Sequence, residues 1–228
     1  MFGLDHTIAS LSDGGTLLVV VLVAVLLGLR HATDPDHLAA VTTLVASRGG
    51  ATPRSAGALG LAWGAGHATT LFAFGLPVVL YRALLPEPVQ AGAETAVGLV
   101  IIALAVWLLV RWRRGGFRHG AHDHTARART PAQAFAIGLV HGIGGSAGVG
   151  ILLLAAVGSH ALAVVALALF AACTALSMAA LSTGFGLTLA RERVSRSFAY
   201  LAPVLGFGSL VFGVWYALGA LHLAPYVF

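Results

Sequence analysis

A chain of 228 residues that is 58% hydrophobic and only 9% charged cannot cover a soluble domain of its size with polar surface. Its mean hydropathy of +0.92 marks a polytopic membrane protein. One cysteine excludes a disulfide framework or a thiolate metal cage within the chain. All thirteen basic residues are arginine, sitting mostly in loops, so they report membrane topology rather than nucleic-acid binding.

The first fifteen residues are acidic and lack a basic region, so no cleaved signal peptide is expected. Nothing resembles a separate soluble domain, and 1–228 reads as a single membrane domain. Six apolar segments follow, at about 16–46, 55–81, 89–110, 132–157, 160–190 and 198–222. Each suffices for a bilayer core that takes about 20 helical residues. The first and fifth are over-long, which predicts tilt, a break, or helix running past the membrane.

Segment one carries His31-Ala-Thr-Asp34-Pro35-Asp36-His37. Two carboxylates and two imidazoles in apolar sequence are costly, and the default reading is a functional site. On a regular helix His31, Asp34 and His37 fall at roughly 0°, 300° and 240°, one face, with Asp36 turned away near 140°. Pro35 disturbs that regularity by removing a backbone donor and pushing Asp34 out of the α region. A helix broken at Pro35 would free backbone carbonyls beside the side chains, as in many transporter ion sites. Imidazole nitrogen with carboxylate oxygen suits borderline divalent ions such as nickel, cobalt or zinc. A helix-ending Asp-Pro turn with satisfied polar groups is the plainer reading. Arg30 either offsets the two acids or snorkels along a water-filled cavity.

Segment two contributes His67, in Trp63-Gly-Ala-Gly-His67-Ala-Thr-Thr, and segment four His141, in His141-Gly-Ile-Gly-Gly-Ser-Ala-Gly148. Counted from the cytoplasmic ends of their segments, the four histidines lie about 13–22 Å deep at 1.5 Å per residue. A lone intramembrane histidine is more often an interhelical donor, but four at a common depth beside two acids point to a metal site. His67 and His141 are expected to reach one ion from opposite halves. Gly60 and Gly64, and Gly144, Gly145 and Gly148, would let neighbouring helices approach closely. The candidate metal ligands are therefore His31, Asp34, Asp36, His37, His67 and His141.

Other polar groups carry less. His119, His122, His124 and Asp123 form a loop tract that serves equally as a weak metal collector or a plain linker. Cys173, Thr174, Ser177 and Met178 read as small-residue packing. Tyr81, Trp112, Tyr200 and Tyr226 read as interface anchors.

The loops after segments one, three and five hold eleven of the thirteen arginines, and the opposite side keeps only Arg82. Both termini are thus expected outside the cytoplasmic (inner) membrane, with the Arg/His-rich loop of about 111–131 in the cytoplasm. Gly28-Leu29-Arg30-His31 matches Gly138-Leu139-Val140-His141, and Gly98 to Trp107 matches Gly206 to Trp215. Three spans per half require opposite orientations. The expected fold is an all-α integral membrane protein of six helices, as two inverted three-helix repeats over about 16–110 and 132–222.

At these residues a family resemblance appears. His31-Ala-Thr-Asp-Pro-Asp-His37 resembles the signature of the nickel/cobalt permeases, a histidine, four residues, then Asp-His on an early helix. Gly66-His67-Ala68-Thr69 is similar to that family's next motif. The resemblance covers about the first third of the chain and implies that His31, Asp34, Asp36, His37 and His67 govern metal selection and passage. Larger members have eight spans and later Asp-Thr and Thr-Glu motifs; this chain lacks both motifs, as a compact, divergent branch would. Nickel against cobalt, and uptake against efflux, stay open.

The leading expectation is a secondary transporter of nickel and/or cobalt, not an enzyme, with the ion as substrate and no resident cofactor. No Walker A motif occurs. A membrane-embedded metalloenzyme using the same His/Asp cluster is the first alternative. A haem-b carrier with His31, His67 or His141 as axial ligands is the second. Expected partners are the divalent ion and the lipid bilayer, not nucleic acid, with room for a cytoplasmic metallochaperone or a second copy of the chain.

Overall fold

The computed structural model describes residues 2–46, 52–81, 86–115, 130–142, 151, 155 and 157–225. Among them there are seven helices and no strand. These are α1 (Phe2–His31), α2 (Pro35–Ala46), α3 (Pro53–Tyr81), α4 (Glu87–Arg113), α5 (Pro131–His141), α6 (His160–Ala190) and α7 (Glu192–Ala220). Helices α3, α4, α6 and residues 197–220 of α7 are each long and apolar enough to cross a membrane. Residues 17–31 of α1 and 35–45 of α2 make a fifth candidate, bent by 50°.

The expected segment 160–190 is α6 to the residue. The expected 132–157 begins as α5, which ends at His141; residues 143–150 lie outside the described part, as do His119, His122, His124 and Tyr226. Gly144, Gly145 and Gly148 fall there too. Four to five spans are therefore described where six were expected.

The break in the first segment precedes Pro35 instead of falling on it. Helix α1 closes in a turn over Ala32–Asp34, with the Thr33 N–H donating to the Arg30 carbonyl at 2.8 Å and the Asp34 N–H to the His31 carbonyl at 3.1 Å. The Thr33 hydroxyl donates to the same Arg30 carbonyl at 2.6 Å. Pro35 then opens α2, where its missing N–H costs nothing and its fixed φ suits the first helical position. The Arg30 and His31 carbonyls are taken by the turn, so they are not offered to a ligand as the sequence suggested.

Helix α3 lies between α5 and α6, α4 packs on α7, and α1 packs on α6. Gly60 and Gly64 permit the α3–α6 approach: a Cβ at Gly64 would sit 2.8 Å from Ala175 backbone. Outward faces stay apolar, with Leu18 69% and Val211 68% exposed, as lipid-facing helices require. Tyr81 and Tyr200 are exposed near helix ends, as expected of anchors, whereas Trp112 turns inward and donates Nε1–H to the Ala199 carbonyl at 2.7 Å. The apolar interior forms two main layers. One contains Leu71, Val78, Leu167 and Phe170; the other Leu44, Leu59, Trp63, Leu104 and Met178. Along α3, His67 falls midway between Trp63 and Leu71 and is buried with them.

Candidate metal centre

All six candidate ligands converge in the space between these layers, none more than 6% exposed. Helix α1 ends on His31, α2 brings Asp36 and His37 in its first turn, and α5 ends on His141. Helix α3 delivers His67 from its midpoint, the fifteenth of its 29 residues. Asp36 is the residue the regular-helix reading turned away. The 50° bend resets the helical phase, so Asp36 and His37 both reach the interior.

The polar contacts dictate which ring nitrogens are bare. Ionised carboxylates only accept hydrogen bonds, so each imidazole nitrogen facing one carries the proton. His31 Nδ1 lies 3.3 Å from Asp34 Oδ2, which leaves His31 Nε2 as a lone pair. His67 Nε2 lies 3.1 Å from that atom and must donate to it, leaving its own Nδ1 bare. Asp36 works in two directions: its Oδ1 is 3.1 Å from His37 Nδ1 and its Oδ2 is 3.2 Å from His141 Nε2. The opposite atoms, His37 Nε2 and His141 Nδ1, have no hydrogen-bond partner among the described residues, and nor does His67 Nδ1. Carboxylates behind imidazoles, fixing tautomer and direction, are the usual support of a histidine metal ligand.

His37 is the hub. Its ring centroid is 4.6 Å from that of His31, 4.9 Å from His67 and 4.7 Å from His141. His67 and His141 are farther apart, at 6.1 Å. Ligand atoms within 4.8 Å of one another occur in two triads, His31–His37–His67 and Asp36–His37–His141. Asp34 belongs to neither; besides His31 it meets Arg30 Nη2 at 3.6 Å, and the Arg30 side chain is 73% exposed. Arg30 thus pairs with one of the two acids while its side chain stays exposed.

Three neighbours were not read as part of the site. Trp63 sets its ring 5.7 Å from His37 and 5.6 Å from His141, and Phe170 lies 5.6 Å from His31. The signal for Trp63 was its place four residues before His67, on the same helical face. Thr174 is wholly buried but spends its hydroxyl on the Phe170 carbonyl at 2.8 Å, which agrees with the packing role given to it.

Residues 17–146, more than half of the chain, match a family described as high-affinity nickel-transport protein, NicO. The chain is also 28% identical over 214 residues to the urease accessory protein UreH of Bacillus sp. (strain TB-90). That alignment covers 90% of this chain and 92% of the relative. No solved structure matches it. The family match spans every residue of the histidine and carboxylate cluster, and the chain belongs to the NicO family of nickel-transport membrane proteins.

Proposed function

We propose that the chain is a secondary transporter that carries a divalent transition metal, nickel or cobalt, through a His/Asp site at mid-membrane. The observation that carries this is the set of buried imidazoles with bare nitrogens, backed by carboxylates, gathered about the midpoint of α3, a helix long and apolar enough to cross a membrane. Such a cluster suits borderline ions rather than magnesium or calcium, which take oxygen ligands. The UreH relative is described as accessory to an enzyme, which fits a chain that serves an enzyme rather than acting as one.

The two-repeat architecture belongs to this reading, and equivalent contacts support it. A Cβ on Gly28 would lie 2.6 Å from the Phe170 carbonyl and 3.2 Å from the Thr174 nitrogen. Gly138, 110 positions later, abuts the Trp63 carbonyl and would stand 2.9 Å from the His67 nitrogen. Trp63 and His67 precede Phe170 and Thr174 by 107 positions each. In the same way Gly98 meets Ala217 and Gly206 meets Leu109, pairs exchanged by a shift of 108. These contacts run α4 antiparallel to α7, the relation an inverted repeat demands.

The direct test is uptake of radioactive nickel and cobalt into liposomes holding the purified protein, with and without a proton gradient. Flux above protein-free liposomes is expected. Tight metal retention with no flux would instead favour the membrane metalloenzyme.

Both termini lie outside the inner membrane in this proposal, on the arginine asymmetry. Reporter fusions at residue 228 and within 118–130 measure it. The loop fusion is expected to be active in the cytoplasm and the terminal one outside; the reverse result would overturn the orientation.

A further inference from the structure

We propose that the centre holds its cargo at two successive positions, one on either side of the His37 ring, rather than at a single site. This rests on the transport reading above. The outer position is made by His31, His67 and His37, three nitrogens; the inner by Asp36, His141 and His37, two nitrogens and a carboxylate oxygen. Filling the inner position moves the Nδ1 proton of His37 to its Nε2 and the Nε2 proton of His141 to its Nδ1, so that the nitrogens beside Asp36 become the ligands. Only His37 belongs to both.

Three observations carry it. The ligand atoms separate into two triads, and His67 of one stands 6.1 Å from His141 of the other, farther than either stands from His37. The two nitrogens of His37 face different company. Nδ1 is turned to Asp36, and Nε2, wholly buried and without a partner among the described residues, is left for the side of His31 and His67. Finally, the triads lean on different apolar layers. His31 lies beside Phe170 of one layer, while His141 and His37 lie beside Trp63 of the other. Trp63 is nearer than His67 to the Pro53 end of α3, which the arginine count puts at the cytoplasmic face.

The physical advantage lies in the crossing. A divalent ion that left all its ligands in an apolar interior would meet a large desolvation cost. A ring common to both positions places them one imidazole apart, which keeps the stretch travelled with fewer ligands short. Sharing also means that one position empties as the other fills, so the chain binds one ion at a time. The carboxylate makes the inner position the more strongly charged, and the all-imidazole position the more selective for borderline metals.

The experiment uses the full chain purified in detergent and loaded with cobalt. Metal stoichiometry, affinity and X-ray absorption are read for wild type, His67→Ala and His141→Ala. His67→Gln and His141→Gln keep side-chain volume and separate loss of a ligand from loss of packing. Each histidine variant is expected to bind one ion about tenfold or more weakly, the scale of a disturbed ligand shell. The spheres should differ: nitrogen-only protein ligands without His141, mixed nitrogen and carboxylate oxygen without His67. Flux in both should fall below about a tenth of wild type, because each step of the path is needed. Identical protein ligand sets in the two variants, or loss of all binding in either alanine variant and its glutamine counterpart, would overturn the two-position proposal in favour of one site. Absence of binding by wild type would instead sink the transport reading on which it rests.

Discussion

A His37→Ala chain is expected to lose metal flux altogether while remaining inserted and monodisperse in detergent. Among the described residues, His37 is the one imidazole whose ring lies within 5 Å of three others, at 4.6, 4.9 and 4.7 Å. It also receives half of the positioning supplied by Asp36, through the 3.1 Å contact at Nδ1. Its removal takes away a ligand and leaves one oxygen of a buried carboxylate without its donor, which costs about 1–3 kcal/mol by itself. Flux in liposomes should drop about 100-fold or more, beyond the effect of disturbing a ligand's supporting shell. Thr33→Ala is the matched control, since the Thr33 side chain is exposed and serves only the Arg30 carbonyl. Wild-type uptake by the His37 variant would remove the cluster from the mechanism.

The second large effect is expected from a methyl group. At Gly138 a Cβ would run into the Trp63 carbonyl of α3, and at Gly66 into the Phe135 carbonyl of α5. Both obstacles are helix backbone, which cannot rotate aside as a side chain could. Gly138→Ala must therefore push α5 off α3, the two helices that hold His141 and His67. Overpacking typically costs 1–3 kcal/mol, and with backbone on both sides about 3 kcal/mol is expected. Thermal unfolding in detergent should move down, and nickel uptake should fall at least tenfold as the histidines separate. Gly208→Ala in α7, where nothing stands within 4 Å of a new Cβ, should change stability by no more than about 0.5 kcal/mol. A silent Gly138→Ala would mean that the α3–α5 contact does not set the site.

These two sites illustrate what could and could not be read from the chain. Hydropathy gave the long helices because bilayer thickness sets a length that composition must satisfy; α6 at His160–Ala190 needed nothing more. The four histidines were legible because buried imidazoles in apolar sequence have few innocent explanations. Asp36 was legible as a candidate ligand from its motif, but the direction of its side chain was not, because that depends on where a helix stops. A break over Ala32–Asp34 resets the phase of every later side chain, and the wheel that assumed continuity sent Asp36 the wrong way. The partners of the rings were equally hidden. Trp63 against His141 and Phe170 against His31 are separated by scores of residues, and no local spacing announces them. Among glycines, those at 60 and 64 were anticipated, but the tightest contacts fall at 66 and 138, where the reason is a neighbour's carbonyl rather than a motif.

On the proposed repeat, the pairs Trp63–His141 and Phe170–His31 are one contact used twice, each at 5.6 Å. The scaffold is then the same viewed from either face of the membrane, as befits a duplicated ancestor that packed against its own copy. Its chemistry is not. Thr174 stands where the other half has His67, and it turns its hydroxyl to backbone instead of to an ion. Equivalent positions in the two proposed halves thus carry a histidine in one and a threonine in the other. On the two-position proposal, an ion arriving from one side meets imidazole first and from the other side a carboxylate. Detailed balance forbids this asymmetry from driving net flow alone. It does allow the two faces to bind with different apparent affinities, so that a carrier with a symmetric scaffold loads readily at one face and unloads readily at the other.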